Sequence, residues 1–420
     1  MIRILTPVAP LLLGVAILLT GQGLQGTLLP VRANLEGFST LSIGLMGAAY
    51  FFGFTLGCLR GSTLLRRVGH VRVFAAMTAA ASAVPLLHGL WIESWLWWLL
   101  RMVTGYCFAV LYVVIESWLN EQATNETRGV VFSAYTLITL TVLAAGQQML
   151  LLYDPQQLSL FAVASAVVSL AAIPVVLSAS PSPAQEEVRA RLDLRRLFRI
   201  SPAGTMGCLA SGLANGSFWA LAPVFVAGYS SDVSLAAWFM TSAVLGGAVG
   251  QWPLGLWSDR VDRRWVISFA ALVAAVAGLA MWLSLEIDTP LMLMVLGACW
   301  GAVAFPLYSI SVAHTNDHAR PGEYVMISSG LLLMYGIGAI VGPFVAPAAM
   351  RLLGPGGLYL YTAVIHLMLV AYMTVRYRRR EAMPEEEHRP FVDALAATQT
   401  ASHIYEDEMA QEEMAQEEPS

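Results

Sequence analysis

One apolar stretch, WLWWLLRMVTGYCFAVLYVVIESWLN (95–120), carries two opposite charges, Arg101 and Glu116. A charge at the centre of a bilayer costs about 2.5–3.5 kcal/mol on insertion scales, so each needs a reason to be there. Fifteen residues of helix separate them by about 22 Å, too far to pair with each other. A guanidinium in that setting either snorkels to the surface or attracts an anionic group. A carboxylate can pair with arginines at a helix end or carry a proton when burial raises its pKa. Glu116 lies near the end of its run, and its expected partners are Arg66, Arg67 and Arg72 in the preceding arginine-rich loop.

Neutral polar groups recur in other apolar runs. Gln22 and Gln25 are one turn apart and share a helix face, as do Asn215 and Trp219. Gln147 and Gln148 sit together, and Tyr112, Tyr135, Tyr308 and Tyr335 are spread over four runs. Amides in lipid must bond across helices or face water. Interhelical bonding accounts for each of them singly. Amides together with aromatic rings would also suit a small amphipathic organic molecule.

Other chemistry is excluded or unsupported. The four cysteines, Cys58, Cys107, Cys208 and Cys299, all lie in apolar runs without a CxxC spacing, so no metal site or disulfide framework is expected. There is no nucleophile–base motif, HExxH or phosphate loop, so neither enzyme activity nor a cofactor is expected. His314 and His318 border a loop and read as solvated.

The elements that hold these residues are membrane spans. Of the 420 residues, 57% are hydrophobic and 12% charged, with a mean hydropathy of +0.65; a soluble chain carries about a quarter charged residues. Twelve runs reach the roughly 20 residues a spanning helix needs: 8–30, 41–59, 73–91, 95–118, 129–151, 158–178, 203–226, 233–256, 265–285, 290–312, 325–349 and 358–376. The first is too long for a signal-peptide core and is expected to stay as a span. The expected class is an all-α membrane protein of two pseudo-symmetric six-helix bundles. The divisions are residues 1–178 for the first bundle, 179–202 for a linker, 203–376 for the second bundle and 377–420 for an acidic, disordered tail.

All 23 basic residues are arginine. Placing the N-terminus inside puts 20 of the 23 in inside segments, so the positive-inside rule predicts two cytoplasmic termini in a bacterial inner membrane. The net charge of −5 belongs to the tail, which has 12 acidic residues against four arginines. No nucleic-acid partner is expected; lipid is. Segment 188–200 alternates apolar residues with five arginines and predicts an amphipathic helix on anionic headgroups. No feature calls for an oligomer, so a monomer is expected.

The halves repeat. A shift of 193 sets Gln22 on Asn215, Gly23 on Gly216, Pro30 on Pro223 and Arg67 on Arg260; a shift of 196 sets Ser133 on Ser329 and Gly146 on Gly342. A parallel repeat of six-span halves is a transporter signature, with the site between halves near the midplane.

The loop GLWSDRVDRR (255–264) resembles the G-x-x-x-D-R-x-G-R-R loop of the major facilitator superfamily at Gly255, Asp259, Arg260, Arg263 and Arg264, with Asp262 in place of the second glycine. Arg101–Gly105 resembles the family's R-x-x-x-G in the fourth span. Gly338, Gly342 and Pro343 resemble its antiporter-type Gly-Pro motif, moved here to the eleventh span. GQWPLGLWSDR (250–260) and VVIES (113–117) look most like the YcaD-like branch. The resemblance covers about residues 8–376. It implies a secondary transporter of a small organic solute, working by alternating access, by default as a proton-coupled exporter. A facilitated-diffusion carrier is the acid-poor alternative, and a membrane sensor acting through the tail is a different one. It implies that spans 1, 4, 5, 7, 10 and 11 line the cavity. In the first half the matching loop is STLLRRVGHVR (62–72), with Arg66 at the family's aspartate. That loop's gating contact must then be re-partnered or lie in the second half.

Overall fold

The structure, a computed structural model, describes residues 6–124, 127–177, 193–284, 289–320, 323–379 and 391. Among them twelve segments are long and apolar enough to cross a membrane. The first five are α1 (Ala9–Leu35), α2 (Thr40–Val68), α3 (His70–Leu90), α4 (Ser94–Gln122) and α5 (Arg128–Gln148), the last extended by a 3-10 turn, Met149–Leu152. The sixth is divided into α6 (Ser159–Leu170) and α7 (Ala172–Val176). After the short α8 (Leu194–Ile200) come α9 (Pro202–Tyr229), α10 (Val233–Arg260) and α11 (Arg263–Leu283). Pro306 divides the tenth span into α12 (Pro290–Ala304) and α13 (Pro306–Asn316), because it has no N–H for the helical ladder. Finally come α14 (Tyr324–Leu353) and α15 (Gly357–Arg379).

Side chains set the helix starts. The hydroxyl of Ser39 accepts from the Ser42 N–H, and Ser201 does the same for Gly204. The carboxylates of Asp232 and Asp262 accept from the N–H groups of Ser234 and Arg264. Two sharp reversals use glycine in the left-handed region, Gly69 at φ 91° and Gly354 at φ 76°. Helix α2 runs about two and a half turns past its apolar run, through Arg60, Arg66 and Arg67, and α10 about one turn, to Arg260; helical hydrogen bonding continues where the hydrophobic pattern stops.

The helix pairings repeat between the halves. Contacts of α1 with α5, α2 with α4 and α3 with α6 are matched by α9 with α14, α10 with α12 and α11 with α15. The α2–α4 pair is especially close. A Cβ at Gly53 would overlap the Met102 carbonyl, and one at Gly105 would overlap the Tyr50 carbonyl. In the second half, Cβ atoms at Gly338 and Gly342 would overlap the carbonyls of Leu209 and Leu213. The halves meet through α2 against α14, α5 against α10, and α9 against α1 and α2.

The amphipathic helix expected over 188–200 is described only from Leu194, and its first part lies outside the described residues. It does not simply float on the surface. Leu197 is fully buried and packs on Gly330 of α14, and Arg196 pairs with Glu323 just before α14. Leu194 and Phe198 stay exposed. The expected disorder of the tail lies outside the described residues except at Phe391, which is 3% exposed and belongs to the second bundle's core.

Candidate functional site

Gln22 of α1 is a junction. Its Nε2 donates to the Tyr50 hydroxyl of α2 at 2.9 Å, and its Oε1 accepts from the Tyr112 hydroxyl of α4 at 3.0 Å. Three helices thus share one hydrogen-bond relay in the membrane interior. The Arg101 guanidinium lies 4.3 Å from the centre of the Tyr50 ring, a cation–π contact. It stacks inside the bundle instead of snorkelling to the end of α4. The Phe54 ring lies 6.0 Å from that of Tyr112.

Glu116 is buried, and the Tyr135 hydroxyl of α5 donates to it at 3.4 Å. The expected pairing with Arg66, Arg67 and Arg72 is not found among the described residues. Those three arginines are exposed, and Arg66 reaches the Thr63 hydroxyl. Helix phase sets the contact it makes: Glu116 follows Tyr112 by one turn and shares the face on which Tyr135 donates to it.

The second bundle supplies Tyr308 and Tyr335, with ring centres 4.9 Å apart, and Trp219 stacked on Phe305 at 5.6 Å and 7°. Asn215 lies close to the Tyr335 hydroxyl, and its Oδ1 is buried with no hydrogen-bond partner among the described residues. Both amide atoms of Gln25 are in the same condition, so Gln25 does not join the Gln22 relay.

Gln147, expected in the cavity, is instead part of the seam between the bundles. It accepts from the Thr241 hydroxyl of α10 at 3.2 Å, and Gln148 donates to the same hydroxyl at 2.7 Å and to the Ala237 carbonyl at 3.2 Å. At the separate contact of α2 with α14 and α9, Gly44 of α2 lies against the carbonyl of Pro343 and the ring of Pro347, Gly47 against Ala220, and Gly336 against Thr55. The contacts of Gly44, Gly47 and Thr241 lie between mid-span and the face bearing the Gly37 and Gly354 turns, and that of Gly336 with Thr55 lies near mid-span. The bundles are closed on that face, opposite α8.

On the α8 face the second half holds a buried ion cluster. Arg263 meets Asp259 at 3.0 Å and Asp317 at 2.7 Å, and donates to the Ser258 hydroxyl at 2.8 Å. Arg264 pairs with Asp262 at 2.6 Å and lies 5.2 Å from the Tyr377 ring. Arg260 is exposed. The Phe391 N–H donates to both oxygens of Asp259, at 3.0 and 3.1 Å, and its ring fills the place a Cβ on Gly255 would take. Shifted by 193, Arg263 corresponds to His70, which hydrogen-bonds to the Ser117 hydroxyl at 3.1 Å. The first half therefore has a histidine–serine contact where the second has an arginine–carboxylate cluster. His314, expected to be solvated, is buried, with its ring 4.9 Å from that of His318.

Sequence reasoning missed Tyr50, Thr241, Asp317, Ser117 and Phe391. Tyr50 in an apolar span has the look of core. Asp317 lies just past the tenth hydrophobic run, and Phe391 sits within a charged tail. Arg263, already picked out by its loop, was the one signal that a buried acid should be sought nearby.

A sequence model of the Major Facilitator Superfamily matches residues 204–407. An uncharacterized MFS-type transporter of Enterobacter sp. (strain 638) is 29% identical over 340 residues, 80% of this chain and 87% of that protein. The uncharacterized MFS-type transporter YcaD of Escherichia fergusonii is 27% identical over 382 residues, 90% of this chain and 97% of that protein. The crystal structure of the nucleoside transporter NupG superposes with a TM-score of 0.73 at 12% identity, covering 89% of this chain and 100% of that one. An inward-facing, occupied bacterial homologue of the human lysosomal transporter Spinster gives 0.69 at 15%, covering 91% and 98%. At such identities the structures speak for the fold, and the YcaD relatives carry the kinship along the chain. The chain is thus similar over most of its length to MFS-type transporters, and its twelve spans and two matched bundles have the fold of the solved transporters.

Proposed function

We propose that the chain exports a small organic solute across the bacterial inner membrane in exchange for protons, by rocking its two bundles about a central site. The observation that carries this reading is the Gln22 relay with Arg101. Charge and amides are gathered in the membrane interior, beside a seam where the two bundles meet. The arginine distribution supports a cytoplasmic α8 face, which would put the contacts of Gly44 and Thr241 on the outer side.

Glu116 is the proton carrier in this reading. A buried carboxylate next to a tyrosine hydroxyl, on a helix that also bears Arg101 and Tyr112, can load and unload a proton as the two faces alternate. Asp259, Arg263 and Asp317 would hold the cytoplasmic loops of the second half.

The test is reconstitution. Solutes that stabilise the purified protein are offered to proteoliposomes with and without a pH gradient. Gradient-driven movement, lost in Glu116→Gln, is expected. Movement indifferent to the gradient overturns the proton exchange, and no movement of any stabilising solute overturns the carrier.

A further inference from the structure

The Gln22 relay has a direction. Tyr112 donates to the Gln22 carbonyl oxygen, and the Gln22 amide donates to Tyr50. The Tyr50 oxygen is thus occupied as an acceptor, while its own hydroxyl hydrogen meets no acceptor among the described residues. Above the same ring lies Arg101. Its contact is with the Tyr50 ring, which takes up no lone pair, so its N–H groups keep their need for an acceptor. None of the ion pairs among the described residues includes Arg101. The one acid on its own helix within the apolar run, Glu116, is about 22 Å along the axis. A half-buried cation in a membrane span with only a ring for company is under-compensated.

Two donors, one charged and one neutral, therefore converge with no protein acceptor. Their chemistry matches the two oxygens of a planar anion. A single cation suits one negative charge better than the two of a phosphate. Next to this polar seat are the rings of Phe54 and Tyr112, and the opposite bundle brings Gly336, the neighbour of Tyr335, against Thr55 on the helix of Tyr50. We propose that Arg101 and Tyr50 form the seat for a carboxylate, and that the solute is an organic monoanion with an apolar or aromatic body. This rests on the carrier reading above and specifies its cargo.

The test uses matched acid and amide pairs on the purified full chain: benzoate and benzamide, phenylacetate and phenylacetamide, indole-3-acetate and indole-3-acetamide. Thermal stabilisation and competition give the affinities. Acids are expected to raise the melting temperature and amides not to. Arg101→Gln should abolish the acid shift, and Arg101→Lys should keep part of it. Tyr50→Phe, which retains the ring, should weaken acids about tenfold without creating a preference for amides. Tyr50→Phe keeps the test alive if Arg101→Gln does not fold. The assignment is overturned if amides match acids, if the acid shift survives Arg101→Gln, or if no acid shifts the protein. Amides that are both bound and carried into proteoliposomes would leave the carrier standing and remove the anion. Acids that bind in an Arg101-dependent way but are never carried would do the opposite.

Discussion

The guanidinium of Arg263 meets the carboxylate of Asp317 at 2.7 Å, with both side chains withdrawn from water. The pair ties the loop after α10 to the end of α13. Removing one member strands the other. Asp317→Ala should cost about 3–5 kcal/mol and visibly lower the melting temperature in detergent. Arg260→Ala, at an exposed position in the same loop, should stay within about 0.5 kcal/mol of wild type. Equal effects would show that the cluster adds nothing beyond general surface charge.

Phe391 fills the notch at Gly255 and bonds to Asp259. Phe391→Ala should destabilise the second bundle by about 3 kcal/mol, the lower end for losing a buried phenyl ring. Unchanged thermal unfolding would mean that the ring does not hold this place in solution.

Glycines differ sharply in what surrounds them. Gly53→Ala drives a methyl group into the Met102 backbone and should abolish a monodisperse product. Gly26→Ala meets nothing within 4 Å and should express as wild type. Fluorescence-detected size exclusion of tagged variants separates the two outcomes.

The seam at Gly44 and Pro343 is closed by backbone contact. Gly44→Ala should loosen it and leave each bundle folded. A cysteine introduced at Thr241, in a background without the native cysteines, should then react faster with a membrane-impermeant maleimide. An unchanged rate would place the closure elsewhere.

Composition and periodicity made the architecture legible. The twelve runs coincide with the helices to within a few residues in most spans, because hydrocarbon imposes both apolarity and length. The extensions of α2 and α10 were invisible, since helices do not stop where lipid does. Site residues were harder. Gln22 and Tyr112 stood out as polar groups in lipid, but nothing in the sequence said they shared a bond. Tyr50 was hidden because an aromatic residue in an apolar run needs no explanation. Glu116 was assigned to the arginine loop from its depth alone; its rotation about the helix axis, which turns it to Tyr135, could not be read from neighbours that are all apolar.

The interlocked backbones at Gly53–Met102 and Gly105–Tyr50 weld α2 and α4 into one strut. Tyr50 and Arg101 are mounted on opposite members of that strut, so their stacking persists however the bundles tilt. Whatever binds there is a passenger of the first half alone, and the second half acts on it as a moving wall.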